Sequence, residues 1–365
     1  MTTNRLLRLR KFGQSVWLDY IRRDLIDSGE LERLIRDDGL AGVTSNPAIF
    51  AKAIANGHEY EAPIRELARR GLPVAAQYEA LALGDVMCAA DLFRPLYEET
   101  QGGDGFVSFE VSPHLAHDTG ATITEAQRLW AAIGRTNVMI KVPATREGLP
   151  AIRFLAAAGV NVNVTLLFSV ARYREVAEAW MQGLEDRALA GAPLGRVASA
   201  ASFFLSRIDT LVDSRLDKLG TGEAQALRGQ AAVASARLAY QEYRRIIADA
   251  RWQALARQGA RPQRLLWAST RTKDPAYGDL LYVEPLIGRD TVNTLTPETL
   301  AAYRDHGDPA VRIEDGIEAA RSLPPSLCDL DINLDEIASQ LEDEGIRKFV
   351  EPYDKLLVRL GANPF

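Results

Sequence analysis

Short β-rich runs alternate with capped amphipathic stretches along most of this 365-residue chain, and that alternation restricts the fold more than any other feature. The strand candidates lie at residues 15–20, 42–45, 106–112, 137–142, 160–167, 197–204 and 265–270, with a weaker eighth at 291–295. Helix signals fall between them. Ser28 is placed to cap a helix carrying Leu31, Leu34 and Ile35 that closes at Gly39. Thr124 and Gln127 form a capping box ahead of Leu129 and Trp130, with Gly134 past the last turn. Residues 147–158 end at Gly159 in the same way. Repeated strand–helix units imply parallel strands joined by helical crossovers, and eight of them predict an α/β chain folded as a (β/α)8 TIM barrel. Such a barrel needs about 250 residues, which leaves about a hundred over. The surplus sits in two places: a helical insert after strand two at about 50–105, including a long amphipathic run at 74–99, and a C-terminal extension at about 303–365. No Pro/Ser/Gly-rich linker sets either apart. One barrel domain over residues 1–365, with two helical additions, is therefore expected.

Bulk composition narrows the function classes. The hydrophobic share of 47% and charged share of 25% suit a soluble globular protein. A net charge of −6 argues against a general nucleic-acid surface, while leaving room for a local basic pocket that takes a phosphorylated metabolite. Cys88 and Cys328 make neither a metal spacing nor a disulfide framework, which fits a reducing cytoplasm. The basic segment 1–13 is not followed by the apolar core of a signal peptide, and no run approaches the ~18 apolar residues of a membrane span. His114-x-x-His117 with Asp118 lacks the helical H-E-x-x-H context, so no metal is expected there. Phosphate-loop, nucleophile-elbow and dinucleotide motifs are absent from the sequence. Oligomeric state is undecided between monomer and homodimer.

The chemistry starts from Met139-Ile140-Lys141-Val142-Pro143, which puts a lysine inside an apolar strand. Burying an ammonium is costly, so such a lysine must reach solvent, pair with a carboxylate, or work as the neutral amine that attacks a carbonyl. Its company decides between these. Strand residues i and i+2 share a face, and several strands carry polar residues at that spacing near their C-terminal ends. These are Thr44 and Asn46, Ser108 and Glu110, Asn163 and Thr165, Ser202 with Phe204, and Ser269 with Arg271. Strand one adds Asp19 beside Trp17. A barrel interior is normally filled by branched apolar side chains, so polar groups at this end read as an active site. Plainer readings exist for single residues. Asn46 before Pro47 is a good helix N-cap, Asp19 could cap the helix after it, Glu110 could simply pair with Lys141, and Arg207 and Arg271 could be solvated arginines. The inward pair Asn163 and Thr165 on a valine-rich strand is harder to explain as structure alone.

Together, Gly42-Val43-Thr44-Ser45-Asn46-Pro47, Phe109-Glu110-Val111, Met139-Ile140-Lys141-Val142-Pro143-Ala144, Asn161-Val162-Asn163-Val164-Thr165-Leu166-Leu167-Phe168-Ser169 and Trp267-Ala268-Ser269-Thr270-Arg271 resemble the transaldolases. These are class I Schiff-base enzymes of the pentose phosphate pathway, built on a (β/α)8 barrel. The insert and the C-terminal extension resemble the longer branch, which also occurs fused to glucose-6-phosphate isomerase. The resemblance implies that Lys141 forms the Schiff base and Asp19 is the general acid/base, while Glu110, Thr165 and Asn46 hold a catalytic water. It implies that Thr44, Asn163 and Ser202 bind sugar hydroxyls, Phe204 packs beside the lysine, and Arg207, Ser269 and Arg271 bind the substrate phosphate. Sugar phosphates would be the substrates, with no metal or organic cofactor required. A fructose-6-phosphate aldolase, in which a glutamine stands in place of Glu110 and a tyrosine in place of Phe204, is the first alternative. A non-catalytic sugar-phosphate-binding barrel is the second.

Overall fold

Eight parallel strands close in chain order into a barrel in the computed structural model, which describes residues 4–362. They are β1 Gln14–Asp19, β2 Gly42–Thr44, β3 Phe106–Glu110, β4 Val138–Pro143, β5 Val162–Leu167, β6 Ser199–Phe204, β7 Arg264–Ala268 and β8 Thr291–Leu295. The weakest expected strand, β8, is the one that shuts the barrel, pairing Trp17 with Thr294 on one side and Trp267 with Asn293 on the other. Residues 1–3 and 363–365, the outer ends of the basic N-terminal segment and of the C-terminal extension, lie outside the described residues.

Register brings the polar positions level with one another. Asp19 pairs with Thr44, Glu110 with Lys141, Lys141 with Asn163, and Pro143 with Thr165. Below that layer Trp17 fills the interior, and only glycine fits opposite it: a Cβ at Gly42 would lie 2.6 Å from the indole and 2.7 Å from the Phe106 carbonyl. Two strands stop two residues short of their expected ends. β3 gives way to a 3-10 turn at Pro113–Leu115, and β7 ends where Ser269 turns left-handed (φ 54°). Ser269 and Arg271 therefore sit on a loop, without the shared strand face that their spacing suggests.

Some caps also differ from expectation. Gly29, at φ 77°, is the residue before the helix Glu30–Asp38, while Ser28 closes the preceding short helix Arg23–Asp27. The left-handed turn between two helices favours glycine at that point. Thr124 lies inside the helix Thr119–Ile133, where its hydroxyl donates to the Gly120 carbonyl; the capping group is Asp118, whose carboxylate accepts from the Ala121 N–H at 2.9 Å. Gly39, Gly134 and Gly159 end their helices in left-handed conformation as expected.

The insert between β2 and β3 forms helices Pro47–Asn56, Glu61–Arg69 and Val74–Glu99. After β8 come helices Pro297–His306, Ile317–Cys328 and Leu334–Gly361. The last buries Ile337, Leu341, Gly345, Phe349, Leu356 and Leu360, a stripe at helical spacing. The main buried core takes in residues from Leu6 to Leu360, so barrel and added helices share it. His114, His117 and Asp118 turn to separate partners: Asp354, Glu147 and the Ala121 N–H. Among the described residues no helix is long and apolar enough to cross a membrane.

Candidate active site

Lys141 is 3% exposed, with its Nζ donating to the Ser45 carbonyl at 2.9 Å. Glu110 Oε2 lies 3.6 Å from the same nitrogen, beyond a good hydrogen bond. The lysine is thus tethered by a neutral backbone oxygen and only loosely approached by a carboxylate. Burial pushes the Glu110 carboxyl up to about 7, with Lys141 opposing the rise. Glu110 Oε2 and Thr165 Oγ1 are both buried without a protein hydrogen-bond partner, as are several other side-chain atoms of the core, which leaves both able to bind a ligand or a water.

Asp19 does not cap the next helix. Its Oδ1 accepts from Thr44 Oγ1 at 2.7 Å, and that hydroxyl in turn accepts from Thr294 Oγ1 at 2.7 Å. Burial raises the Asp19 carboxyl above the usual range, against the lowering effects of Lys141 and of the Thr44 bond. A second chain crosses three strands: Ser202 Oγ donates to Asn163 Oδ1 (2.6 Å), and Asn163 Nδ2 donates to Ser108 Oγ (3.0 Å). Both partners are serine hydroxyls, which can donate or accept, so the chain holds the Asn163 amide at both of its ends. Asn46 has the plainer role as well, since its Oδ1 caps the helix Pro47–Asn56 by accepting from the Ile49 N–H at 3.0 Å. That bond uses the amide oxygen and leaves both amide hydrogens available.

The phosphate-binding expectation maps onto the loops after β6 and β7. Arg207 Cζ lies 5.5 Å from the Phe204 ring centroid and 6.0 Å from that of Phe349, so two aromatic faces hold the guanidinium. Its Nη1 is buried with no protein partner, and desolvation pulls the group below its ordinary value. Ser269 Oγ is within 2.8 Å of Ser206 Oγ, and Arg271 is exposed. Lys273 joins this group. Desolvation lowers its ammonium below the ordinary lysine value, and repulsion from Arg271 and Arg207 adds to the effect. Lys273, repelled by both arginines, makes with them a cationic cluster that can seat a polyanion. Polarity therefore runs from the enclosed lysine out to an open cationic rim.

Sequence reading missed four contributors. The Ser45 carbonyl is backbone and leaves no compositional trace. Thr294 sits on the weakest strand, Lys273 on a loop without periodicity, and Phe349 at an ordinary core position of a helix more than two hundred residues from Lys141. Phe204 is buried against Phe168 (centroids 5.4 Å apart) and beneath Arg207, while Lys141 Nζ lies 6.0 Å from the ring centroid of Phe349.

Comparisons with known proteins point to one family. Residues 16–360 match the family model described as transaldolase/fructose-6-phosphate aldolase. The chain is 50% identical over 368 residues to "Transaldolase 2" of Nostoc sp., covering 98% of this chain and 97% of that protein. It is 48% identical over 351 residues to the transaldolase of Thiobacillus denitrificans, covering 96% and 98%. With the transaldolase of Thermobifida fusca it shares 48% identity over 357 residues, covering 98% and 97%.

Proposed function

The chain belongs to the transaldolase/fructose-6-phosphate aldolase family and acts as a transaldolase, and we propose that Lys141 carries the reaction as a Schiff base. A three-carbon dihydroxyacetone unit passes from a ketose phosphate, fructose 6-phosphate or sedoheptulose 7-phosphate, to an aldose phosphate. The observation that carries this reading is a lysine 3% exposed at a strand end, tethered to a carbonyl and surrounded by Glu110, Asn163, Thr165 and Asp19.

In the forward sequence neutral Lys141 adds to the C2 ketone of fructose 6-phosphate, and loss of water gives an imine that serves as an electron sink. Asp19 takes the C4 hydroxyl proton, the C3–C4 bond breaks, and glyceraldehyde 3-phosphate leaves. The enamine on Lys141 then attacks erythrose 4-phosphate, and hydrolysis gives sedoheptulose 7-phosphate and free lysine. Glu110, at about 7, can both donate and accept a proton near neutrality. Its unpaired oxygen, the unpaired Thr165 hydroxyl and the free amide hydrogens of Asn46 support the role of holding the water that ferries those protons. Thr44, Asn163 and Ser202 line the same layer as hydroxyl binders, and Arg207, Ser269 and Arg271, joined by Lys273, receive the phosphate. Fructose-6-phosphate aldolase chemistry is the alternative, and Glu110 and Phe204 favour transfer over it.

Glyceraldehyde 3-phosphate release from fructose 6-phosphate tests the reading. Sustained release is expected only when erythrose 4-phosphate is present, and sustained release without it would move the protein to the aldolases. For the phosphate seat, Arg207→Met keeps the stacked volume and removes the charge. KM for fructose 6-phosphate should rise about 10²-fold, since a charge-assisted hydrogen bond contributes roughly 1.5–3 kcal/mol. Steady-state kinetics should show kcat changing much less, and an unchanged KM would remove Arg207 from the site.

A further inference from the structure

A transferase of this type has a problem its chemistry alone does not solve. Once the first aldehyde leaves, the Lys141 enamine has two fates. If its C3 bonds to the acceptor's aldehyde carbon, whose oxygen takes up a proton, transfer results. If C3 instead bonds to a proton, an imine of dihydroxyacetone forms; water then adds at C2, the C–N bond breaks, and dihydroxyacetone and free lysine are released. Both routes consume one water in hydrolysis, so they differ only in what reaches C3 first.

The last long helix, Leu334–Gly361, is laid over the site where this competition takes place. Gly345 is pressed so closely against β5 that a Cβ there would lie 2.8 Å from Leu166 Cδ2 and 3.5 Å from Arg207 Nη1. Leu166 meets it with a left-handed backbone (φ 57°), at the point where the β5–β6 register shifts. One turn on, Phe349 is 3% exposed, its ring centroid 6.0 Å from Lys141 Nζ and 6.0 Å from Arg207 Cζ. A further turn on, Tyr353 packs edge-on to Tyr78 of the insert helix Val74–Glu99, with centroids 5.2 Å apart. Gly345, Phe349 and Tyr353 thus form one face of the helix at i, i+4 spacing, pinned at both sides, with its aromatic centre directed at the two cations that bracket a bound sugar phosphate. A phenyl ring there displaces water and has no proton to give.

We propose that Phe349 is a specificity-determining residue for transfer: its ring shields the Lys141-bound three-carbon enamine from solvent protons, so that the acceptor aldehyde captures it. The inference rests on the transaldolase reading above. It assigns the C-terminal extension a task in the reaction, and it separates that task from Glu110 and Phe204.

The experiment measures the ratio of dihydroxyacetone released to sedoheptulose 7-phosphate formed, from fructose 6-phosphate with erythrose 4-phosphate. Phe349→Leu, Phe349→Gln and Phe349→Ala are compared with the wild-type chain. Leucine and glutamine are similar in size and differ in polarity. The release-to-transfer ratio should stay near wild type for Phe349→Leu and rise at least about tenfold for Phe349→Gln and Phe349→Ala, as water gains access to the site. If Phe349 only buttressed Arg207, KM for the phosphorylated sugars would rise in all three with the ratio unchanged, and the proposal would be overturned. Equal ratios for leucine and glutamine would overturn it as well, and that comparison stands even if the alanine variant does not fold. A wild-type chain that already releases dihydroxyacetone freely would instead overturn the transaldolase reading itself.

Discussion

Replacing Lys141 by alanine should lower transfer turnover by at least about 10⁴-fold and leave the barrel folded. The loss is large because no neighbour can substitute for the amine. Lys273 and Arg207 belong to the cationic rim, and Arg207 is too basic to serve as a nucleophile. The fold survives because the lysine makes little structural use of its charge. It forms one hydrogen bond, to the Ser45 carbonyl, and a 3.6 Å approach to Glu110. Removing one partner of a tight buried ion pair destabilises by about 3–5 kcal/mol, but here Glu110 is already held up to about 7 by burial. Without the lysine its carboxyl rises further and stays protonated at neutral pH, which relieves most of the penalty. Lys141→Met, which keeps the volume, should be as inactive as the alanine variant and closer to wild type in thermal midpoint. Borohydride reduction in the presence of fructose 6-phosphate should attach the sugar to the peptide carrying Lys141 in wild type and to no peptide in either variant. Turnover within tenfold of wild type in Lys141→Ala would end the Schiff-base assignment.

Where the sequence could be read, it was because a local pattern had only one physical outlet. β5 alternates valines with Asn163 and Thr165, and no strand buried on both faces tolerates that without partners. The structure supplies Ser108 and Ser202 for the asparagine and no protein partner for the threonine. The insert helix 74–99 is legible to the residue, because its apolar spacing is long and uninterrupted. Local patterns misled where two were in competition. Ser28 and Thr124 are good caps, but Gly29 and Asp118 stand at the turns where the chain changes direction. What stayed hidden depends on closure of the barrel and on the path of the last helix. Thr294 reaches Thr44 only because β8 pairs with β1, and Phe349 reaches Lys141 only because glycine at 345 lets that helix settle against Leu166.

The second large effect is at Asp19. Asp19→Asn should lower kcat by about 10²–10⁴-fold, the usual contribution of a positioned proton acceptor, because an amide cannot take the C4 hydroxyl proton. Imine formation should survive, so borohydride trapping on Lys141 separates this variant from the lysine ones. The pH dependence offers a finer test. In the proposed mechanism the C–C cleavage step needs the Asp19 carboxylate, and burial lifts its proton affinity above the ordinary carboxylate range, so activity should fall on the acid side as pH drops through that raised value. The Thr44 hydroxyl donates to Asp19 Oδ1 and stabilises the charged form, which works against the rise. Thr44→Val deletes that donor at nearly constant volume, so the carboxyl must rise and the acid limb of kcat/KM must move to higher pH. A shift of about one to two units is expected, because a hydrogen bond to a charged group contributes roughly 1.5–3 kcal/mol and each pKa unit corresponds to about 1.4 kcal/mol. The direction is the decisive outcome. An acid limb that stayed in place or moved to lower pH would mean that the titrating group is not Asp19. Glu110, the other acid beside Lys141, would then be the one to substitute.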